Sequence, residues 1–148
     1  MAKKITRTIG LEKLLKQLNA TPNLAITASK SALFEEATEI MAESKKLVPT
    51  VTSALKNSGF VELPAIAATK IVIEMGYGGP AAPYALAVHE NPRAGKTGGV
   101  SPSGKPYPPK RYSQSGEYKY LEKPFRAASA GMAKRLLNRI DALLRRKL

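Results

Sequence analysis

The only histidine in the chain, His89, stands directly before Glu90, the closest approach to an acid–base pair that the sequence offers. A general base needs a nucleophile to activate and a third group to orient it. A zinc site needs three or four side-chain ligands. Neither set surrounds His89, which therefore reads as a strand-end histidine in a polar contact. Gly95-Lys96-Thr97 touches on a phosphate-binding loop. That loop requires a glycine five residues before the Gly-Lys pair, a strand ahead and a helix behind. Glu90 holds that position, and Pro102 and Pro106 follow. Asn19-Ala20-Thr21 matches a glycosylation sequon by chance, because Met1-Ala2-Lys3-Lys4 leads into alternating apolar and charged residues rather than a secretory leader. No catalytic residue, cofactor or metal ligand is expected, and the chain does not read as an enzyme.

Binding chemistry is better represented. The net charge is +13, from 24 Lys+Arg against 11 Asp+Glu. Such an excess suits a polyanion or an acidic protein surface. Residues 91–116 hold five prolines and five glycines, and the basic residues Arg93, Lys96, Lys105, Lys110 and Arg111 are interleaved with Tyr107 and Tyr112. Aromatic rings between cations can stack on single-stranded nucleic acid. The same composition can form an assembly arm that orders on a neighbouring subunit. It can also be a plain solvated loop. The acids gather instead at Glu35, Glu36, Glu39 and Glu43. Opposite charge on two faces permits head-to-tail association of copies.

The elements that position these residues follow from periodicity. A chain of 148 residues makes one domain with a sizeable core. The absence of cysteine excludes disulfide staples and thiolate metal sites. No stretch reaches the length of a membrane span, so no membrane contact is expected and a soluble product is. Residues 1–22 read as an N-terminal arm with a short amphipathic helix on Leu11, Leu14, Leu15 and Leu18, broken at Thr21-Pro22-Asn23. A long helix over 26–48 follows, its apolar stripe on Leu33, Ala37, Ile40, Met41, Ser44 and Leu47, with the four glutamates outward. Lys45 and Lys46 suit its last turn, and Pro49 ends it. Residues 58–90 predict the sheet. Phe60-Val61-Glu62-Leu63 and the alternating Lys70-to-Tyr77 segment pair as a hairpin through a connection at 64–69. Residues 84–89 read as strand or helical turn. After the extended basic loop 91–118, a final helix over 123–148 places Phe125, Met132, Leu136, Ile140, Leu143 and Leu144 on one face, with Pro124 in its first turn. The fold class is α+β: a small antiparallel β-sheet packed against a long central helix and a C-terminal helix, with a long Gly/Pro-rich loop.

Two segments on either side of that loop resemble a known family. The first is Pro83-Tyr84-Ala85-Leu86-Ala87-Val88-His89-Glu90-Asn91. The second is Lys119-Tyr120-Leu121-Glu122-Lys123-Pro124-Phe125. Ahead of them come Lys46-Leu47-Val48-Pro49, Thr52-Ser53-Ala54-Leu55-Lys56-Asn57-Ser58 and the strand Ile71-Val72-Ile73. In this order the segments resemble the tail-completion, or head–tail joining, proteins of long-tailed bacteriophages. The resemblance makes Tyr84, Val88, His89, Glu90, Leu121, Pro124 and Phe125 parts of a fold signature, with Tyr84 to His89 on an extended segment. The loop follows no pattern of that family.

What the resemblance implies is a structural protein of the virion neck, assembled in the cytoplasm of the host bacterium. Such proteins form a homo-oligomeric ring, a hexamer, around the DNA channel between the head connector or adaptor and the tail tube. Passing DNA would then meet the ring only through non-specific charge. The contrasting expectation is a small basic nucleic-acid-binding protein with no virion role.

Overall fold

The computed structural model describes residues 9–49, 53–92, 94, 103–105 and 116–146, with residues 9–21 described by backbone alone. Its spine is helix α1, Ile9–Leu47, 39 residues and roughly 58 Å long. The expected break at Thr21-Pro22-Asn23 is absent, because Pro22 lies inside a continuous helix. Proline removes one amide donor and crowds the preceding turn. The Ala, Leu and Lys residues on either side are strong helix formers and carry the helix across that single defect. α1 ends where expected. Val48 donates the last helical bond, to the Ser44 carbonyl at 3.1 Å, and Pro49 has no amide to continue.

α1 buries a ridge of every fourth residue: Ala28, Ala32, Glu36, Ile40, Ser44 and Val48, flanked by Ala37 and Met41. Rows four apart are the commonest helix packing surface, and alanines let a neighbour approach closely. Helix α5, Met132–Arg145, packs along this ridge, as does the shorter α4, Glu122–Ser129. A single C-terminal helix was expected. It is broken at Ala130-Gly131, where Gly131 takes φ +76°, a left-handed conformation that suits glycine. Phe125 is 47% exposed, whereas Leu136 and Ile140 are half-buried, so it does not share their face.

The β structure is one long interrupted hairpin. β1 (Gly59–Val61) pairs antiparallel with β4 (Met75–Tyr77), Gly59 opposite Tyr77. β2 (Ala65–Ala67) pairs with β3 (Lys70–Val72), Ile66 opposite Ile71. The expected plain connection at 64–69 therefore contains a strand. Pro64, which cannot donate a ladder bond, lies between the two halves. The β1–β4 half packs on α1. Gly59 sits so close to Lys45, Met41 and Tyr77 that a β-carbon there would crowd all three. The β2–β3 half stands away from the body, with all of β2 exposed.

Short helix α2, Ser53–Asn57, buries Leu55. Helix α3, Ala82–Glu90, replaces the extended segment expected for Tyr84 to His89. Ala82, Ala85 and Ala87 favour helix, and Pro83 lies in the first turn where its missing amide does no harm. Val48, Leu55, Ala81, Ala85 and Tyr120 form the buried cluster between these pieces, with Leu47, Tyr77, Tyr84, Val88 and Leu121 packed around it. Among the described residues no helix is long and apolar enough to cross a membrane.

The chain returns from the basic loop at Gly116, with φ +118°. Its neighbour Glu117 donates its amide to the Leu47 carbonyl at 2.7 Å, capping the end of α1. A β-carbon on Gly116 would lie 2.4 Å from Pro49 Cα and 2.5 Å from its nitrogen. Gly116→Ala is therefore expected to lower stability by at least about 2 kcal/mol in a urea titration, through backbone collision. A melt indistinguishable from the parent chain would contradict this packing.

Candidate functional site

The two segments that carry the resemblance meet at Tyr120. This ring is 1% exposed, and its hydroxyl donates to the Ala85 carbonyl of α3 at 2.8 Å. The Tyr77 and His89 rings stand edge-on to it, each with a centroid separation of 5.0 Å. Such T-shaped pairs add to the value of burying the rings. Tyr77 in turn shares a 2.7 Å hydrogen bond with the fully buried Ser44 of α1. One phenol thus links the start of α4 to α3 and, through Tyr77, to the hairpin and α1. Burial pushes both phenols above their ordinary pKa; the Ser44 bond partly offsets this at Tyr77.

His89 closes the same joint. Its Nε2 accepts the Glu122 amide at 3.4 Å, a first-turn donor of α4 that has no partner within its own helix. That role requires a lone pair on Nε2, so Nδ1 carries the proton and donates to Glu90 Oε1 at 2.7 Å. The His89 carbonyl accepts the Lys119 amide at 2.7 Å. The Glu122 carboxylate pairs with Lys119 at 2.9 Å and Arg126 at 2.7 Å. The Lys119 hydrogen bond holds it below the usual carboxylate range. This is the chemistry of a helix cap. The histidine sits at a helix end, not at the strand end expected for it, and among the described residues no cluster of three or more His, Asp or Glu could hold a metal ion.

A second cluster binds α5 to α1. Glu36, expected on the outer face with the other glutamates, is 3% exposed. Arg135 donates Nε to it at 3.0 Å and adds a second contact through Nη2. The same guanidinium bonds the Ala128 carbonyl, and the Ala130 carbonyl at 3.0 Å, so it also ties the end of α4 to the start of α5. Arg139 holds the Glu39 carboxylate at 2.6 and 2.7 Å and lies 3.6 Å from Glu36 and 3.8 Å from Glu35. These carboxylates raise the pKa of both guanidiniums. Only Glu36 of the four clustered acids is thus taken inside the molecule; Glu35, Glu39 and Glu43 stay on the exposed side of α1 as expected, with Glu39 paired to Arg139 there.

The signature positions divide by burial. Pro124 is buried; Tyr84, Val88, His89 and Leu121 are half-buried around the joint; Glu90 and Phe125 are exposed. Of the loop candidates, Lys105 is described and exposed, while Arg93, Lys96, Tyr107, Lys110, Arg111 and Tyr112 lie outside the described residues. The sequence did not single out Tyr120, Gly116 or Arg135 as working residues. Tyr120 had one available signal, an aromatic residue directly before the last helix. Scanned against protein-family models, curated proteins and solved structures, the chain finds no significant match.

Two measurements follow from the joint and the clamp. Tyr120 and Tyr77 bind their protons more tightly folded than unfolded, so their contribution is complete below about pH 10 and falls as the unfolded chain ionises above it. Melting temperature should drop above that pH. Tyr120→Phe should shallow the drop while lowering neutral stability by about 2 kcal/mol, because the Ala85 carbonyl loses its donor. An alkaline profile unchanged by the substitution would count against the buried phenol. Glu36→Ala should destabilise by roughly 2 kcal/mol, less than a fully buried pair because Arg135 keeps partial access to water. Glu43→Ala, which removes only a solvent-exposed pair with Lys46, should change stability by less than about 0.5 kcal/mol. Equal effects would contradict the assignment of Glu36 to the interior.

Proposed function

We propose that this chain is a structural protein of a bacteriophage neck, a ring-forming subunit that joins the head connector to the tail tube around the DNA channel. The observation that carries the reading is the Tyr120 joint. Two segments separated by 27 residues of basic loop, each bearing part of the resemblance, meet in one buried contact. Their aromatic and capping residues are used to position backbone. The work then falls to the surfaces that the joint leaves outside, the β2–β3 arm and the cationic exterior. A net charge of +13 suits a channel through which a polyanion passes without being gripped by sequence.

The nucleic-acid-binding alternative draws on the same charge and on exposed cations of α4 and α5, namely Arg126, Lys134 and Arg145. It requires tight binding that survives physiological salt. A neck protein needs only attraction that is lost by about 0.15 M salt, because each neutralised phosphate releases counterions.

Quantitative mass spectrometry of purified particles from the source phage tests the reading. The chain should be present in a fixed number of copies, and lysates lacking it should accumulate unjoined heads and tails. A variant without residues 93–115 should fold yet fail to join them. Particles that lack the chain, or normal joining in its absence, would overturn the proposal.

A further inference from the structure

The β2–β3 arm is the most exposed apolar feature among the described residues. Leu63 is 80%, Ile66 55% and Val72 40% exposed. From Leu63 to Ile73 the arm carries one charge, Lys70. On a chain this basic, an almost uncharged apolar projection does not suit phosphate, which is bound through multiple cations. It suits a protein surface with an apolar floor.

The molecule has such a surface. A groove of about 590 Å³ runs between α1 and α4, with Ile40, Leu47, Pro124 and Ala127 among its apolar lining. That volume accommodates several side chains. Glu39 and Glu43 also line it. Lys123 and Arg135 line it too, but are tied to Glu117 and Glu36. Among the described residues Glu43 is engaged in an exposed pair with Lys46, worth little, so it can turn to an incoming lysine.

The arm cannot serve its own groove. β1 rests against Met41 and Lys45 of α1. Glu43 and Leu47, on the groove side, lie two residues further along, about 160° around a helix of 3.6 residues per turn. Projection and socket thus occupy opposite flanks of one helix. A contact between them must join different copies, and it is heterologous, the kind that closes into rings when the rotation permits.

We infer that the β2–β3 arm of one copy docks into the α1–α4 groove of the next, with the facing pair Ile66 and Ile71 on the apolar floor and Lys70, on the arm's other face beside its turn, reaching over the rim to the exposed Glu43. The inference rests on the ring reading above and specifies its subunit contact. Each contact is small, so isolated copies associate weakly and the ring gains by closure.

The chain has no cysteine, which makes thiol cross-linking unambiguous. Full-length Ile66→Cys and Ala127→Cys chains, mixed and treated with a short thiol–thiol cross-linker at high concentration, should give a covalent dimer that neither gives alone. The double variant should give a ladder ending at the closed ring. Dimers from Ile66→Cys alone would mean arm-to-arm edge pairing and overturn the inference. So would copies that sediment as oligomers without cross-linking, an outcome that leaves the ring itself standing. Chains that stay monomeric and are absent from particles would remove both readings. Ile66→Lys, a substitution at an exposed site, should abolish self-association without shifting the melting curve. Unchanged association would also overturn the contact.

Discussion

The buried hydroxyl of Tyr120 is the constraint from which the remaining architecture follows. Its bond to the Ala85 carbonyl and its ring contacts with Tyr77 and His89 fix where the chain returns after the loop. A phenol this deep must find an acceptor, because an unsatisfied buried donor costs more than a typical hydrogen bond contributes. The Ala85 carbonyl and the edges of the Tyr77 and His89 rings meet at one place and supply both the acceptor and the ring contacts. Once Tyr120 is seated there, Glu117 caps α1, His89 caps α4, and α4 is set against α1.

α5 depends on that placement in turn. It has no fully buried residue and is held chiefly to α1, through half-buried apolar side chains and the Arg135 and Arg139 pairs. Arg135 reads the geometry of the α4–α5 break as well as the Glu36 carboxylate, since its planar fork reaches two carbonyls and an acid at once. A lysine could not make that set of contacts. The tertiary fold therefore runs from the aromatic joint to α4, and from the guanidinium clamp to α5.

Much of the fold is legible in the sequence where one local signal dominates. The β-branched Ile71-Val72-Ile73 marks the hairpin, the stripe through Ala37, Ile40, Met41 and Ser44 marks the long helix, and Pro49 marks its end. The reading loses resolution where distant partners decide. Glu36 looks like one of four solvated glutamates, and its burial depends on an arginine 99 residues away. Tyr84 to His89 has the composition of either a strand or a helix. Helix wins because alanines and Pro83 favour it, and because the Ala85 carbonyl on α3 meets the Tyr120 hydroxyl. Pro22 looks like a stop but is a single defect in a segment otherwise rich in helix formers. The histidine was legible as a polar contact, but its role as a cap for another helix depends on the fold. In the proposed ring, the same division holds between a body set by these long-range contacts and a β2–β3 arm left outside them.

Native-state hydrogen exchange at the Glu117, Lys119 and Glu122 amides tests the joint most directly, because all three bond across it to Leu47, His89 and the His89 ring. Exchange of Glu117 and Lys119 as slow as that of the buried α1 ridge, with Glu122 protected less through its longer bond, is the expected result. Exchange of all three at the rate of an open loop would contradict it.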